Sequence, residues 1–456
     1  MGPYRGNALA TARVMWSVGL LLAAAISGTA LGQDTHYWTE QYGNRARLLG
    51  GAVIGSSSDL SSVYYNPGRL ALVTSPELLL AGNVFEYSVI TLKEEQADQN
   101  IKSSRFSLTP SLFAGEFRFG WLGDSRLAYS FLTRNSSEFN TQGRTSTLEP
   151  NLPAANLDFL ADSIRVDQKM TEYWGGVTWA KPVGPVGFGI STFVAARNQR
   201  GLVQRTTLGA FDGTPAAVQG TDEYRYNHWR ALWKIGAGAK VNDWDMGLTI
   251  TTPGLKLFGG GEIAGDRSRT GIPGDPGLLI FMQQDDLAAT YKSPWSVALG
   301  GSRTFEQTEV HLGIEWFAPV GLYDVLPGEL VTPIVGGQPT DPTVRHESAA
   351  VLNASAGVAH TFNDRLSGYA SLRTDFSSAV DESVSNLAFT EWNLYHLSAG
   401  ATVRTDSVEF TTGAIVAFGS SNSPPRIESV QVDSSYFRIT AILGFSFGFA
   451  DLPQGQ

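Results

Sequence analysis

The stretch before the C-terminus alternates with a period of two. From Phe437 to Phe449 every odd position is apolar: Phe437, Ile439, Ala441, Leu443, Phe445, Phe447 and Phe449. Between them stand Arg438, Thr440, Ile442, Gly444, Ser446 and Gly448, mostly small or polar. Successive side chains of a strand point to opposite faces, so this segment has one apolar face and one polar face. An apolar face of that length suits a membrane-crossing strand better than a globular one. The pattern recurs at Val408, Phe410, Ala414, Val416 and Phe418, with Thr412 as the exception. It recurs again at Val310 to Trp316, Trp244 to Ile250 and Leu366 to Leu372. In each case charge sits opposite the apolar face.

Such segments predict 14 strands, near 77–91, 104–119, 124–135, 171–181, 185–200, 223–240, 243–260, 287–304, 308–320, 346–361, 364–376, 391–404, 407–419 and 434–449. Their connections alternate in length. Gly120–Gly123, Pro182–Pro185, Asn242, Phe305–Gln307, Asn363 and Thr405–Asp406 are tight. The stretches 136–170, 201–222, 261–286, 321–345, 377–390 and 420–433 are long. Bacterial transmembrane barrels have an even strand number, short periplasmic turns and long outer loops. A β-propeller has no reason to alternate so, and no repeat of propeller period is present. The sequence therefore reads as an all-β, 14-stranded antiparallel transmembrane β-barrel over residues 77–449, with a C-terminal tail at 450–456 and both chain ends on the periplasmic side.

The N-terminus adds a compartment. Arg5 and Arg13 precede an apolar run from Val14 to Ile26, and Ala30-Leu31-Gly32 fits a cleavage site before Gln33. This is the layout of a secretory signal peptide over 1–32, too short in its apolar part to span a bilayer. Residues 33–76 are rich in Gly and Ser and lack the apolar periodicity of an independent domain. At the mouth of a wide barrel they are expected to fold inside as a plug, or hatch.

Composition agrees with a barrel in the outer membrane. The chain of 456 residues has only 17% charged residues, 50 Gly, 11 Trp and no Cys. A mean hydropathy of −0.08 lies between a soluble enzyme and a helical membrane protein, as an apolar exterior over a polar lumen requires. The net charge of −10 and the lack of any basic stripe exclude nucleic acid as a partner. The six His have no metal-ligand spacing, so neither metal nor cofactor is expected. There is no Gly-x-Ser-x-Gly elbow, no His-Glu-x-x-His pair and no phosphate-binding Gly loop, and no catalytic residue is assigned. His311, His360 and His396 fall within strands, without a Ser partner that sequence can name.

The segment Gly50-Gly51-Ala52-Val53-Ile54-Gly55, followed by Asp59 to Ala71, resembles the plug signature of the FadL-type long-chain fatty acid transporters of the outer membrane. Asn66 and Pro67 match; Gly68 and Arg69 stand where Ala and Gly are usual. Trp233-Lys234-Ile235-Gly236-Ala237-Gly238 and Ser293 to Gly301 also look like strands of that family. The resemblance implies a 14-stranded barrel with an N-terminal plug. It implies passive transport of hydrophobic small molecules, with outer membrane lipids and the barrel assembly machinery as surroundings. A secretion-associated interaction protein and a general diffusion porin are the alternatives. Asn66-Pro67-Gly68 also reads, without any substrate, as a turn that folds the plug.

In the long stretch 136–170, Leu157, Leu160 and Ile164 fall at helical spacing, and with Leu152 and Phe159 they predict an apolar groove for solute in an outer loop. Trp174, Trp179, Trp229, Trp295, Trp316 and Trp392 are expected in interfacial belts. The family resemblance implies a wall exit at a kink in the third strand, yet Ser125 to Asn135 contains no Gly or Pro to mark one. Barrels often end on an aromatic residue that the assembly machinery reads; here seven residues follow Phe449.

Overall fold

The computed structural model describes residues 35–73, 77–93, 98–117, 119–148, 157–211, 213–272, 274–380, 392–405, 408–421 and 433–448. The expected signal peptide, 1–32, and C-terminal tail, 450–456, lie outside them. Six strands come first: β1 (Glu77–Lys93), β2 (Asp98–Phe117), β3 (Arg126–Leu148), β4 (Leu157–Val183), β5 (Val186–Phe211) and β6 (Thr214–Val241). Each of the next four barrel strands is broken in two. β7 (Trp244–Thr251) runs into β8 (Leu255–Thr270), and β9 (Leu278–Leu287) into β10 (Ser296–Phe305). β11 (Thr308–Phe317) runs into β12 (Val320–Leu326), and β13 (Val344–Ser348) into β14 (Val351–Asn363). The last four are β15 (Leu366–Asp375), β16 (Asn393–Arg404), β17 (Val408–Ser421) and β18 (Asp433–Gly448).

Antiparallel ladders join β1 to β7 in order, then β10, β11 and β14 to β18. The ring closes where β1 pairs with β18, from Glu77↔Gly448 to Lys93↔Asp433. This is a closed 14-stranded barrel, as the alternation predicts. Closure is what lipid demands, because it pairs the edges of the first and last strands. The apolar set that alternates along each strand faces outward. Met246, Leu248, Leu299, Leu312, Leu352, Leu397 and Phe437 are all exposed on the barrel exterior. Among the described residues no helix is long and apolar enough to cross a membrane. An exposed apolar girdle on a closed barrel is the architecture of an outer-membrane protein.

The long outer stretches differ from expectation. β5 and β6 remain paired up to Phe211↔Thr214, so 201–222 is a hairpin and not a loop. Likewise β3 and β4 stay paired up to Leu148↔Phe159. Beyond the bilayer both faces of a strand are wet, so its hydrophobic alternation fades while its backbone still gains from the ladder. The strand continues where the sequence signal stops.

Two irregularities mark the wall. The four broken strands are interrupted at one level, since Thr251 pairs with Ser296, Ser296 with Phe317, and Phe317 with Val351. The second lies between β2 and β3. Their ladder runs only from Phe117↔Leu127 to Leu112↔Leu132, although β2 continues beside β1. Just beyond, the β3–β4 register shifts between Thr133 and Asn135, a bulge at Arg134. The third strand is thus irregular without the Gly or Pro that the sequence lacked, because a bulge needs only one extra residue.

Residues 35–73 carry three short helices, α1 (Asn44–Leu48), α2 (Ser62–Tyr65) and α3 (Pro67–Leu70). This segment lies inside the barrel, for its contacts run round the ring. Gly68 packs on Gly187 and Gly236, Gly55 on Gly300, Ala52 on Gly313, Leu49 on Gly357 and Asn44 on Gly444. The barrel partners in this set are inward-facing glycines. A Cβ on Gly68 would lie 2.5 Å from the Gly187 carbonyl oxygen and 2.7 Å from that of Gly236. Backbone meets backbone there, which only Gly allows. Leu48, Leu49, Leu60 and Leu70 are fully buried, each contributing about 2 kcal/mol of burial.

Candidate functional site

The Asn-Pro-Gly turn of the inner segment has a structural job. Asn66 Oδ1 accepts from the Gly68 amide at 3.0 Å, capping α3, with Pro67 in its first turn. Asn66 Nδ2 donates to the Ile54 carbonyl at 2.8 Å and to the Ala237 carbonyl of β6 at 2.9 Å. One side chain therefore folds the segment and ties it to the wall. Further ties surround it. Arg69 pairs with Asp245 at 2.7 Å, Arg45 with Glu309, and Arg47 donates to the Gly82 carbonyl at 2.8 Å. Ser56 Oγ lies 2.8 Å from His311 Nδ1, which is buried in β11. The Ser partner of His311 comes from the inner segment, fully enclosed.

Between this segment and the outer side of the lumen lies a pocket. Tyr37 and Tyr64 contribute from the inner segment. Arg134, Glu172, Trp174, Arg197, Arg230, Lys234, Tyr291, Glu315 and Phe317 contribute from the wall. The strand period explains the set. Lys234 shares its face with Gly236 and Gly238, opposite the exposed Ile235. Arg134 enters through the bulge. Tyr291 stands in 288–295, the link between β9 and β10 at the break in the wall, and lies 3.8 Å from the Arg197 guanidinium, ring centroid to Cζ.

The charges are arranged unevenly. Glu172 accepts from Arg230 at 2.5 Å, from Trp174 Nε1 at 2.6 Å and from Arg197 at 3.2 Å. Glu315 accepts from Ser296 at 2.6 Å and from Trp38 Nε1 at 2.7 Å. Lys234 donates to the Thr251 hydroxyl at 2.9 Å and lies 4.5 Å from the Tyr64 ring. Arg134 donates to the Tyr37 carbonyl at 2.8 Å and lies over the Trp174 ring at 5.6 Å. Rings and cations thus alternate round one small volume of about 60 Å³. That is well under the roughly 150 Å³ of an apolar cavity that holds benzene.

Four of the residues assigned to an outer groove lie on a strand and not on a helix. Leu157, Phe159, Leu160 and Ile164 belong to β4, paired with β5 as Leu157↔Phe211 and Ile164↔Arg205. The helical spacing of three residues is overridden by two ladders, one on each side of β4. Leu152 lies outside the described residues. Ile164 is not on the pocket. The tryptophans divide by strand parity. Trp179, Trp229, Trp295 and Trp316 are exposed on the exterior, whereas Trp174 and Trp392 are buried. Trp174 sits on the same face as Glu172, inside the lumen.

No family model matches the sequence, and no curated protein matches it. Solved structures do. The Pseudomonas putida toluene transporter TodX superposes with a TM-score of 0.56 at 16% identity, covering 90% of this chain and 98% of TodX. A FadL homologue of Pseudomonas aeruginosa gives 0.55 at 11% identity over 93% of this chain and all of its own, 100%. The Ralstonia pickettii toluene transporter TbuX gives 0.50 at 11% identity, covering 90% of this chain and 99% of its own. From end to end of those proteins, this chain has the fold of the FadL-type outer-membrane hydrocarbon transporters.

Proposed function

We propose that this protein carries hydrophobic small molecules passively across the outer membrane, with residues 35–73 acting as a plug. The observation that carries this reading is the pocket, lined with aromatic rings, between the inner segment and the outer side of a barrel shaped like TodX. The inner segment packs against inward-facing glycines round the ring, which disfavours a general diffusion porin, since such a porin needs an open aqueous channel. At about 60 Å³ the pocket must open for a solute to pass, so the plug or the 288–295 link moves in transport. The parting of β2 from β3 beside Arg134 offers an apolar solute a way through the wall into lipid. Long-chain fatty acids are one candidate cargo and monoaromatic hydrocarbons another. Uptake of labelled oleate and labelled toluene by cells with and without the gene tests the reading. Faster uptake of either solute supports it, and equal uptake of both by the two strains sinks it.

A further inference from the structure

The pocket holds more positive charge than the protein neutralises. Arg134, Arg197, Arg230 and Lys234 face it, against the carboxylates of Glu172 and Glu315. Glu172 is taken up by Arg197 and Arg230. Glu315 is held by Trp38 and Ser296. Among the described residues, the hydrogen-bond partners of Arg134 and Lys234 are neutral, the Tyr37 carbonyl and Tyr42 for one and the Thr251 hydroxyl for the other, while Glu172 and Glu315 act on them only from beyond ion-pair distance. Lys234 is 4% exposed. A buried cation without an anion pays a desolvation cost that a hydroxyl or a ring face offsets only in part.

Arg134 and Lys234 flank one aromatic pair. Arg134 covers Trp174, Lys234 covers Tyr64, and the centroids of those two rings are 6.1 Å apart. Tyr37 and Phe317, stacked at 4.3 Å, close another side. Resting on the transport reading above, we infer that this pocket, once widened by the same movement, selects a small aromatic carboxylate, with its anionic group between Arg134 and Lys234 and its ring against Tyr64 and Trp174. A neutral hydrocarbon would give neither cation an anion to pair with. A long acyl chain would have to pass the cations Arg134, Arg197, Arg230 and Lys234 within the pocket.

The test is calorimetric titration of the detergent-solubilised full-length barrel with benzoate, benzyl alcohol and oleate. Benzoate is expected to bind more tightly than benzyl alcohol. Lys234→Met and Arg134→Met are each expected to weaken benzoate by about tenfold or more, the scale of a charge-assisted hydrogen bond, while Lys234→Arg retains it. Heat-modifiable gel mobility confirms that each variant folds. Should a Met variant not fold, the benzoate against benzyl alcohol comparison on the native barrel decides alone. Equal binding of benzyl alcohol, binding of oleate alone, or undiminished benzoate binding in the folded Met variants overturns the inference. Flux of toluene into barrel-bearing liposomes without benzoate binding overturns only this inference. Benzoate binding without flux of any solute overturns only the transport reading.

Discussion

Asn66 acts through both ends of its amide, and that makes its substitutions informative. Asn66→Ala removes a cap and two ties, at about 1–3 kcal/mol. Asn66→Asp keeps the acceptor for the Gly68 amide but aims an anion at the carbonyls of Ile54 and Ala237. The Asp variant is therefore expected to lower the melting temperature of the inner segment more than the Ala variant, as read by limited proteolysis on heating. Glycines separate in the same way. Gly68→Ala meets backbone on two strands, whereas at Gly120 a Cβ meets nothing within 4 Å. The first is expected to reduce the heat-modifiable folded fraction and the second to leave it unchanged. At this scale the sequence was partly legible. Asn-Pro-Gly announces a turn, and parity puts Lys234 inside the lumen. That Lys234 has no carboxylate within ion-pair distance among the described residues was not legible, because it depends on which residues of other strands share its level.

Strand by strand, the sequence shows what lipid enforces and hides what water permits. Alternation located all 14 crossings, but it missed the outer hairpins, where polar residues on both faces still pair. It missed the bulge at Arg134 because no residue type is required there. That irregularity carries a prediction about exit. Thr133 Oγ1 donates to the Pro110 carbonyl at 2.9 Å, bridging β3 and β2 where their ladder ends. A disulfide between Pro110→Cys and Thr133→Cys is expected to stop solute flux into liposomes, with flux restored by reductant. Unaltered flux in the oxidised form would rule out exit at this seam. The outer segment before β13 carries a pH dependence. Hydrogen bonds from the Thr343 hydroxyl, the Arg345 guanidinium and the Thr343 amide hold the Asp341 carboxyl down at about 2. Its folded value lies below its ordinary 3.8, so the stabilisation is fully present above pH 3.8 and is lost as pH falls through about 2. Pepsin cleavage between 327 and 343 should rise as pH falls across that window, and Asp341→Asn should flatten the response.

For the molecule as a whole, the ring of inward glycines and the inner segment are two halves of one fit. The abundance of Gly announced a barrel but not which face the glycines serve, since a glycine gives no alternation signal of its own. Deleting residues 35–73 is expected to leave a heat-modifiable barrel with raised single-channel conductance in a planar bilayer. An unchanged conductance would mean that the lumen is closed by other residues. The closing ladder between β1 and β18 imposes an order on how the molecule is made. The inner segment precedes β1 directly and touches strands from β5 to β18. A ring already sealed would have to be threaded from one end, against glycines that leave no slack. The N-terminal segment is thus expected to serve as a mandrel on which the sheet curls, with the first-to-last seam the final one to zip. Cysteines at the cross-strand positions Leu79 and Ser446 should become cross-linkable only after those residues have gained protease protection within the growing sheet.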